Sequence, residues 1–162
     1  MRAFKVINLK KENKLKSQFS QFLVPYLEYE EGFNHFSRIC VFDHFLDSEE
    51  AIKLIDNISK EERINRDIKW SALYKAISNK FDIYMLKYRS GKLIFKEPRS
   101  SELLCRRLGR MDIDGHVWFV IPELDLCYQQ NWDDTHLVYY QDPSKLEGFL
   151  NIVYDSGLYW LN

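Results

Sequence analysis

The chain has 162 residues, 46% hydrophobic, 15% aromatic and 29% charged, and its 23 basic and 24 acidic side chains leave a net charge of −1. That profile excludes a disordered segment and argues against a dedicated nucleic-acid binder, which is usually basic overall; it allows one globular domain, residues 1–162, with a real core. No window approaches the roughly 20 uncharged apolar residues that span a bilayer, and the opening MRAFKVINLKKENKLK does not read as a secretory signal, so a cytoplasmic location is expected.

Along the chain, AFKVINL predicts a first strand, followed by a basic linker. Leu15, Phe19, Phe22, Leu23 and Tyr26 share a helical face that Pro25 should end or bend. FSRICVFDHFL alternates poorly and suits a buried strand or a short helix. DSEEAIKLIDNIS is a helix whose first turn carries a capping box, Asp47 with Glu50, and whose core stripe is Ala51, Leu54, Ile55 and Ile58. A charged connection, KEERINRD, leads to a second helix on Trp70, Leu73, Tyr74 and Ile77.

From Phe81 the period turns strand-like. FDIYMLKY and LIFK flank RSGK as a hairpin, and Ser100 or Ser101 caps a helix on Leu103, Leu104 and Leu108. HVWFVI is apolar on both faces, as a central strand would be, and LDLCYQQ and THLVYY make a second hairpin around QNWDDT. Asp142, Pro143 and Gly157 bracket a helix on Leu146, Phe149, Leu150 and Val153, after which LYWL packs back. The expected fold class is α+β: N-terminal helices, an antiparallel sheet and a C-terminal helix packed on it.

Charge is segregated along this plan. Residues 17–60 carry three basic against eight acidic side chains, residues 61–114 thirteen against eight, and residues 115–162 only Lys145 against seven. Such asymmetry steers charged partners unless the fold interleaves the segments. Cys40, Cys105 and Cys127 are widely spaced and outside any CxxC pattern, as reduced packing residues would be.

Four groups of residues bear chemistry. Asp112, Asp114 and His116 in DIDGH offer two hard oxygens and an imidazole to a divalent cation, although Asp-Gly is also a common turn. Asp133 and Asp134 are adjacent, a spacing unsuited to chelation on a strand, and stand beside Trp132. Asp43 and His44 form a conceivable acid/base pair between phenylalanines. Arg106, Arg107 and Arg110, with Arg99, Lys87, Arg89, Lys92, Tyr84 and Tyr88, could contact phosphates and stack on bases. The glycine-rich, zinc-helix and nucleophile-elbow signatures are absent, so no catalytic residue, metal or cofactor is assigned.

Residues 121–162, IPELDLCYQQNWDDTHLVYYQDPSKLEGFLNIVYDSGLYWLN, with Asp133 and Asp134 on a hairpin and a closing Trp160-Leu161, resemble the C-terminal part of a family of small bacterial domains of unknown function. In style they are similar to the immunity proteins of contact-dependent growth inhibition and other polymorphic toxin systems. The resemblance implies a non-catalytic cytosolic protein that neutralises one cognate toxin, often a nuclease, and has no membrane partner. An acidic surface formed by Glu123, Asp125, Asp133 and Asp134, with Glu28, Glu30 and Glu31 and with Trp132 as anchor, would then cover a basic toxin site. The alternatives are a metal-dependent hydrolase or nuclease on Asp112, Asp114 and His116, and a nucleic-acid-binding domain on Arg106, Arg107 and Arg110.

Overall fold

A computed structural model describes residues 4–22, 32–108, 117–131 and 133–162. Their strands are β1 (Phe4–Val6), β2 (His35–Cys40), β3 (Tyr84–Arg89), β4 (Lys92–Pro98), β5 (Val117–Ile121), β6 (Leu126–Gln130), β7 (Thr135–Tyr140) and β8 (Tyr159–Leu161). They form one antiparallel sheet in the order β1-β4-β3-β5-β6-β7-β2-β8. The helices are α1 (Leu9–Gln18), α2 (Ser48–Ala51), α3 (Lys60–Lys80), α4 (Ser101–Leu108) and α5 (Glu147–Asp155). The α+β class and the C-terminal helix are as the patterning predicts. The two edge strands have three residues each, which limits the unpaired backbone presented for unwanted pairing.

The sheet is apolar on both faces and each face has its own core. Trp70, Leu73, Tyr74 and Ile77 of α3, Leu104 and Leu108 of α4, and Phe149 and Val153 of α5 pack with Ile39, Phe119, Tyr128 and Val138. On the opposite face Leu15 and Phe19 of α1, with Phe22, cover Tyr84, Leu86, Phe95, Val120, Cys127 and Tyr139. Strand alternation explains the split: Phe119 and Val120 are neighbours in β5 and serve different cores. HVWFVI is thus an interior strand, fourth in the sheet order, and residues 117–121 of it form β5.

Local chemistry places the turns. Ser90 and Gly91 both have positive φ, 51° and 72°, the left-handed pair that closes the two-residue β3–β4 hairpin with the correct twist. Gly157, at φ 73°, ends α5, and the Leu158 amide returns to the Val153 carbonyl at 3.2 Å, satisfying an orphan acceptor of the last turn. LYWL continues as β8 on the outer edge of β2, pairing Trp160 with Ile39.

Two predicted boundaries are corrected, and one open alternative is decided in favour of a strand. The basic linker is helical: Asn8 accepts from the Lys11 amide at 2.9 Å and caps α1, a helix with one fully buried side chain, Leu15. FSRICVFDHFL begins as a strand, β2. KEERINRD is not a connection but the start of α3, capped by Ser59 through the Glu62 amide at 3.1 Å. Arg66 occupies the core position where the apolar stripe runs out, so a hydrophobic period cannot reveal that turn. The capping box of Asp47 and Glu50 is formed in full, yet α2 is one turn long and continues as a π-helical turn, Ile52–Asp56, which leaves the predicted stripe half-buried.

Candidate functional site

The β6–β7 hairpin carries the two adjacent aspartates, and they do different things. Asp134 adopts φ 57°, a conformation in which Asp is tolerated better than most residues, and this turns its carboxylate inward onto α3. It is 5% exposed. Its Oδ2 accepts from Arg66 at 3.0 Å and Arg63 at 3.1 Å, and its Oδ1 from the Trp70 indole at 3.2 Å. Arg66, only 3% exposed at its side chain, also donates to Glu62 at 2.8 Å and to the Leu54 carbonyl in the π-helical turn at 2.7 Å. Each buried charge is therefore paired and hydrogen-bonded. Asp134 is a staple between hairpin and helix, which corrects the expectation that it contributes to an exposed acidic surface.

Asp133 stays at the surface, half-buried, and its Oδ1 accepts from the Thr135 amide at 3.1 Å. Desolvation pushes its carboxyl above the usual range, and that backbone hydrogen bond pulls the other way. Trp132 lies outside the described residues.

Behind Asp134 lies a neutral polar chain. His136 is stacked on Trp70 with ring centroids 3.8 Å apart and is fully buried, which lowers its pKa to about 3; a hydrogen bond to the Asn131 backbone opposes the shift. His136 Nδ1 meets the Tyr128 hydroxyl at 2.5 Å. The Tyr74 hydroxyl lies 3.5 Å from the same Nδ1 and accepts from Gln130 Nε2 at 3.1 Å. Burial holds both phenols well above their ordinary pKa. No member is charged near neutrality, so the chain holds protons in place instead of exchanging them.

The other predicted residues are scattered. Glu123 and Asp125 sit at the opposite end of β6 from Asp133, about 17 Å away by strand rise across five fully buried residues. They do not share one surface with the hairpin tip. Asp125 pairs with Lys145 and accepts from Gln18 at 2.5 Å; burial alone would raise its carboxyl, and these partners hold it low. Glu123 is exposed and lines an open groove of about 990 Å³ together with Asp82, Lys11, Lys14, Lys80 and Tyr84. Charge is interleaved there.

The arginine surface is also divided. Arg106, on α4, pairs with Glu102 at 3.1 Å, and α4, with Arg107, belongs to the α3 side of the sheet, whereas Tyr84 is buried on the α1 side. Arg110, Glu28, Glu30, Glu31, Asp112, Asp114 and His116 lie outside the described residues. Among the described residues no group of three or more His, Cys, Asp or Glu side chains is placed to hold a metal ion. The three cysteines are free, and Cys40 and Cys127 are buried.

One surface emerges that sequence reasoning missed. Where β2 ends beside the β6–β7 hairpin, Phe45 is 54% exposed, and the Arg38 guanidinium lies between its ring at 5.2 Å and that of Phe36 at 4.5 Å. Leu137, opposite Arg38 in the register, and Tyr159 and Leu161 of the edge strand extend the apolar area on the same face. Carboxylates border it. Thr135 pairs with Cys40, which brings Asp133 to the end of β2 where residues 41–45 follow, and Asp43 holds His44 at 2.6 Å while Glu50 holds the other ring nitrogen at 3.2 Å. Asp47 and Glu49 are exposed just beyond. FDHFLDSEE is thus the second half of the acidic neighbourhood of Asp133. The density of acids in residues 43–50 was the available signal. Comparison with protein-family models, curated proteins and solved structures finds no match for this chain.

Proposed function

We propose that the protein is a non-catalytic immunity protein that neutralises a basic cognate toxin, a nuclease being the fitting class, by docking through the Phe45–Arg38 surface and its carboxylate border. The observation that carries this reading is the composition of that surface. An exposed phenylalanine and a stacked arginine on sheet and loop backbone form the kind of anchor that dominates binding energy, and Asp133, Asp43, Asp47 and Glu49 provide an acidic rim. A nuclease is cationic where it binds phosphate, so complementary charge gains association rate and partner selectivity. Of the acidic residues in the sequence expectation, Asp133 belongs to this rim, and Glu123 and Asp125, at the far end of β6, lie outside it.

The test uses the gene neighbourhood. The reading frame next to this one is expressed with and without the chain, and growth is measured. The expected result is growth arrest relieved by the wild-type chain and not by Phe45→Ala/Arg38→Ala, with both proteins equally folded by circular dichroism. Full protection by the double variant would remove this face as the interface, and a harmless neighbouring product that does not bind the chain would remove the immunity reading.

A further inference from the structure

Helix α3 is covered on three sides. Arg66, Trp70, Leu73, Tyr74 and Ile77 are buried toward the sheet. On one flank Ser101 of α4 donates to the Ser78 carbonyl at 3.4 Å, and on the other Lys80 donates to the Gly148 carbonyl of α5 at 3.3 Å. The fourth side, opposite Trp70 at the helical period, carries Glu61, Ile64, Ile68, Ala72 and Lys75 in one stripe along the axis, and all five are exposed. Ile64 and Ile68 are 58% and 61% exposed. They stand one turn apart, and Ala72 follows on the next turn, so the middle of the stripe is an apolar ridge facing solvent.

The stripe is its own complement. Turned end for end about Ile68, it sets Ile68 on Ile68, Ile64 against Ala72 and Glu61 against Lys75, because the members of each pair are equidistant from Ile68 in the sequence. Large meets small on either side of the centre, and acid meets base at both ends. Among the described residues neither Glu61 nor Lys75 has an ion-pair partner within the chain, which leaves both charges for a second copy. A parallel pairing would set Glu61 on Glu61 and Lys75 on Lys75, which repulsion disfavours. Such self-complementarity is what a two-fold interface demands, whereas an unrelated partner requires no symmetry of the stripe.

We propose that α3 pairs antiparallel with α3 of a second copy across a two-fold axis at Ile68, giving a weak homodimer. From Glu61 to Lys75 the stripe is about 21 Å long at ~1.5 Å per residue and about 10 Å wide. Two such stripes bury less than the roughly 1,200 Å² of stable complexes, so a dissociation constant on the order of 100 µM is expected. Phe36 and Leu137, the neighbours of Arg38, pack on the α1 side of the sheet. The dimer therefore leaves the docking face proposed above free and does not rest on it.

The test is sedimentation equilibrium of the isolated chain from about 10 µM to about 1 mM, a range that brackets the expected constant. Wild type should pass from monomer to dimer, and Phe45→Ala/Arg38→Ala should do the same. Ile68→Glu, which sets two carboxylates on the axis, should stay monomeric throughout. Glu61→Lys should weaken the dimer about fivefold as both end pairs turn repulsive, and Glu61→Lys/Lys75→Glu should restore it, since each exchanged pair is again opposite in sign. The substituted positions are exposed, and circular dichroism checks that each variant is folded. A wild-type monomer across the whole range, a dimer that survives Ile68→Glu or is lost in Phe45→Ala/Arg38→Ala, or no rescue by the charge exchange would overturn the proposal. So would a wild-type monomer whose Ile68→Glu variant no longer relieves the growth arrest caused by the neighbouring product, a result that assigns the stripe to a different partner.

Discussion

Acid should unfold this protein through His136. The folded ring is neutral with a pKa of about 3, against 6.5 when the chain is unfolded. Below pH 6.5 the unfolded state therefore takes up a proton that the folded state refuses. The stabilisation is complete above 6.5 and is lost progressively as pH falls toward 3. The whole interval is worth roughly 5 kcal/mol at ~1.36 kcal/mol per pH unit, and the part reached at pH 5 about 2 kcal/mol. Against a typical total of about 5–15 kcal/mol, that is a large fraction of the fold's stability. The measurement is urea unfolding at pH 7.5 and pH 5 for wild type and for His136→Gln, which keeps a polar group and removes the titration. Wild type should lose about 2 kcal/mol more than the variant between the two pH values, the other groups cancelling in the difference. Equal losses, or a His136 ring that titrates near 6.5 in the NMR spectrum of the folded protein, would refute the reasoning.

Asp134→Asn keeps shape and tolerance of positive φ but leaves Arg66 buried beside a neutral amide; it should cost about 3 kcal/mol or more in urea unfolding, and an unchanged midpoint would mean the staple carries no energy. Asp47→Ala removes the cap of α2 and should cost about 1 kcal/mol by the same assay. His44, hydrogen-bonded first to Asp43 and then to Glu50, should titrate above its ordinary 6.5 by NMR and move down in Glu50→Gln. Its charged form is favoured in the fold, so any stability it adds is present at low pH and fades as pH rises through its folded pKa; the pair is fully exposed and the effect on unfolding should be near zero. Gly157→Ala should cost about 1 kcal/mol from backbone conformation alone, because the added methyl would meet only the Lys69 side chain at 3.6 Å, an ordinary contact. No change in melting temperature there would count against the left-handed cap.

What the sequence disclosed followed from rules with short range. An unbroken apolar run found β5, a glycine turn found the β3–β4 hairpin, and an apolar stripe with a glycine stop found α5, because each depends on neighbours within a few residues. What it concealed depends on contacts across the chain. Arg66 and Asp134 are 68 positions apart, and only the fold shows that one is the counter-charge of the other. Each looks like a surface residue in its own window, so KEERINRD passed for a loop and Asp134 for part of an acidic face. The acidic surface expected at Glu123 and Asp125 failed for a related reason: Lys11, Lys14 and Lys80 come from α1 and α3, elements whose packing at that end of the sheet no charge count along the chain predicts.

Adjacent aspartates with opposite fates also explain how a hairpin tip becomes a usable surface. A tip held by its own turn alone would sample many orientations, and ordering it on binding would consume affinity. Asp134 removes that freedom beforehand: three donors from α3 fix its carboxylate, and the positive φ directs the next residue back into β7. Asp133 is thereby held at the head of β7 with its own side chain on the Thr135 amide, next to the end of β2, where Thr135 pairs with Cys40. Core and surface functions are thus separated by one peptide bond, and the energy that stabilises the inner residue preorganises the outer one.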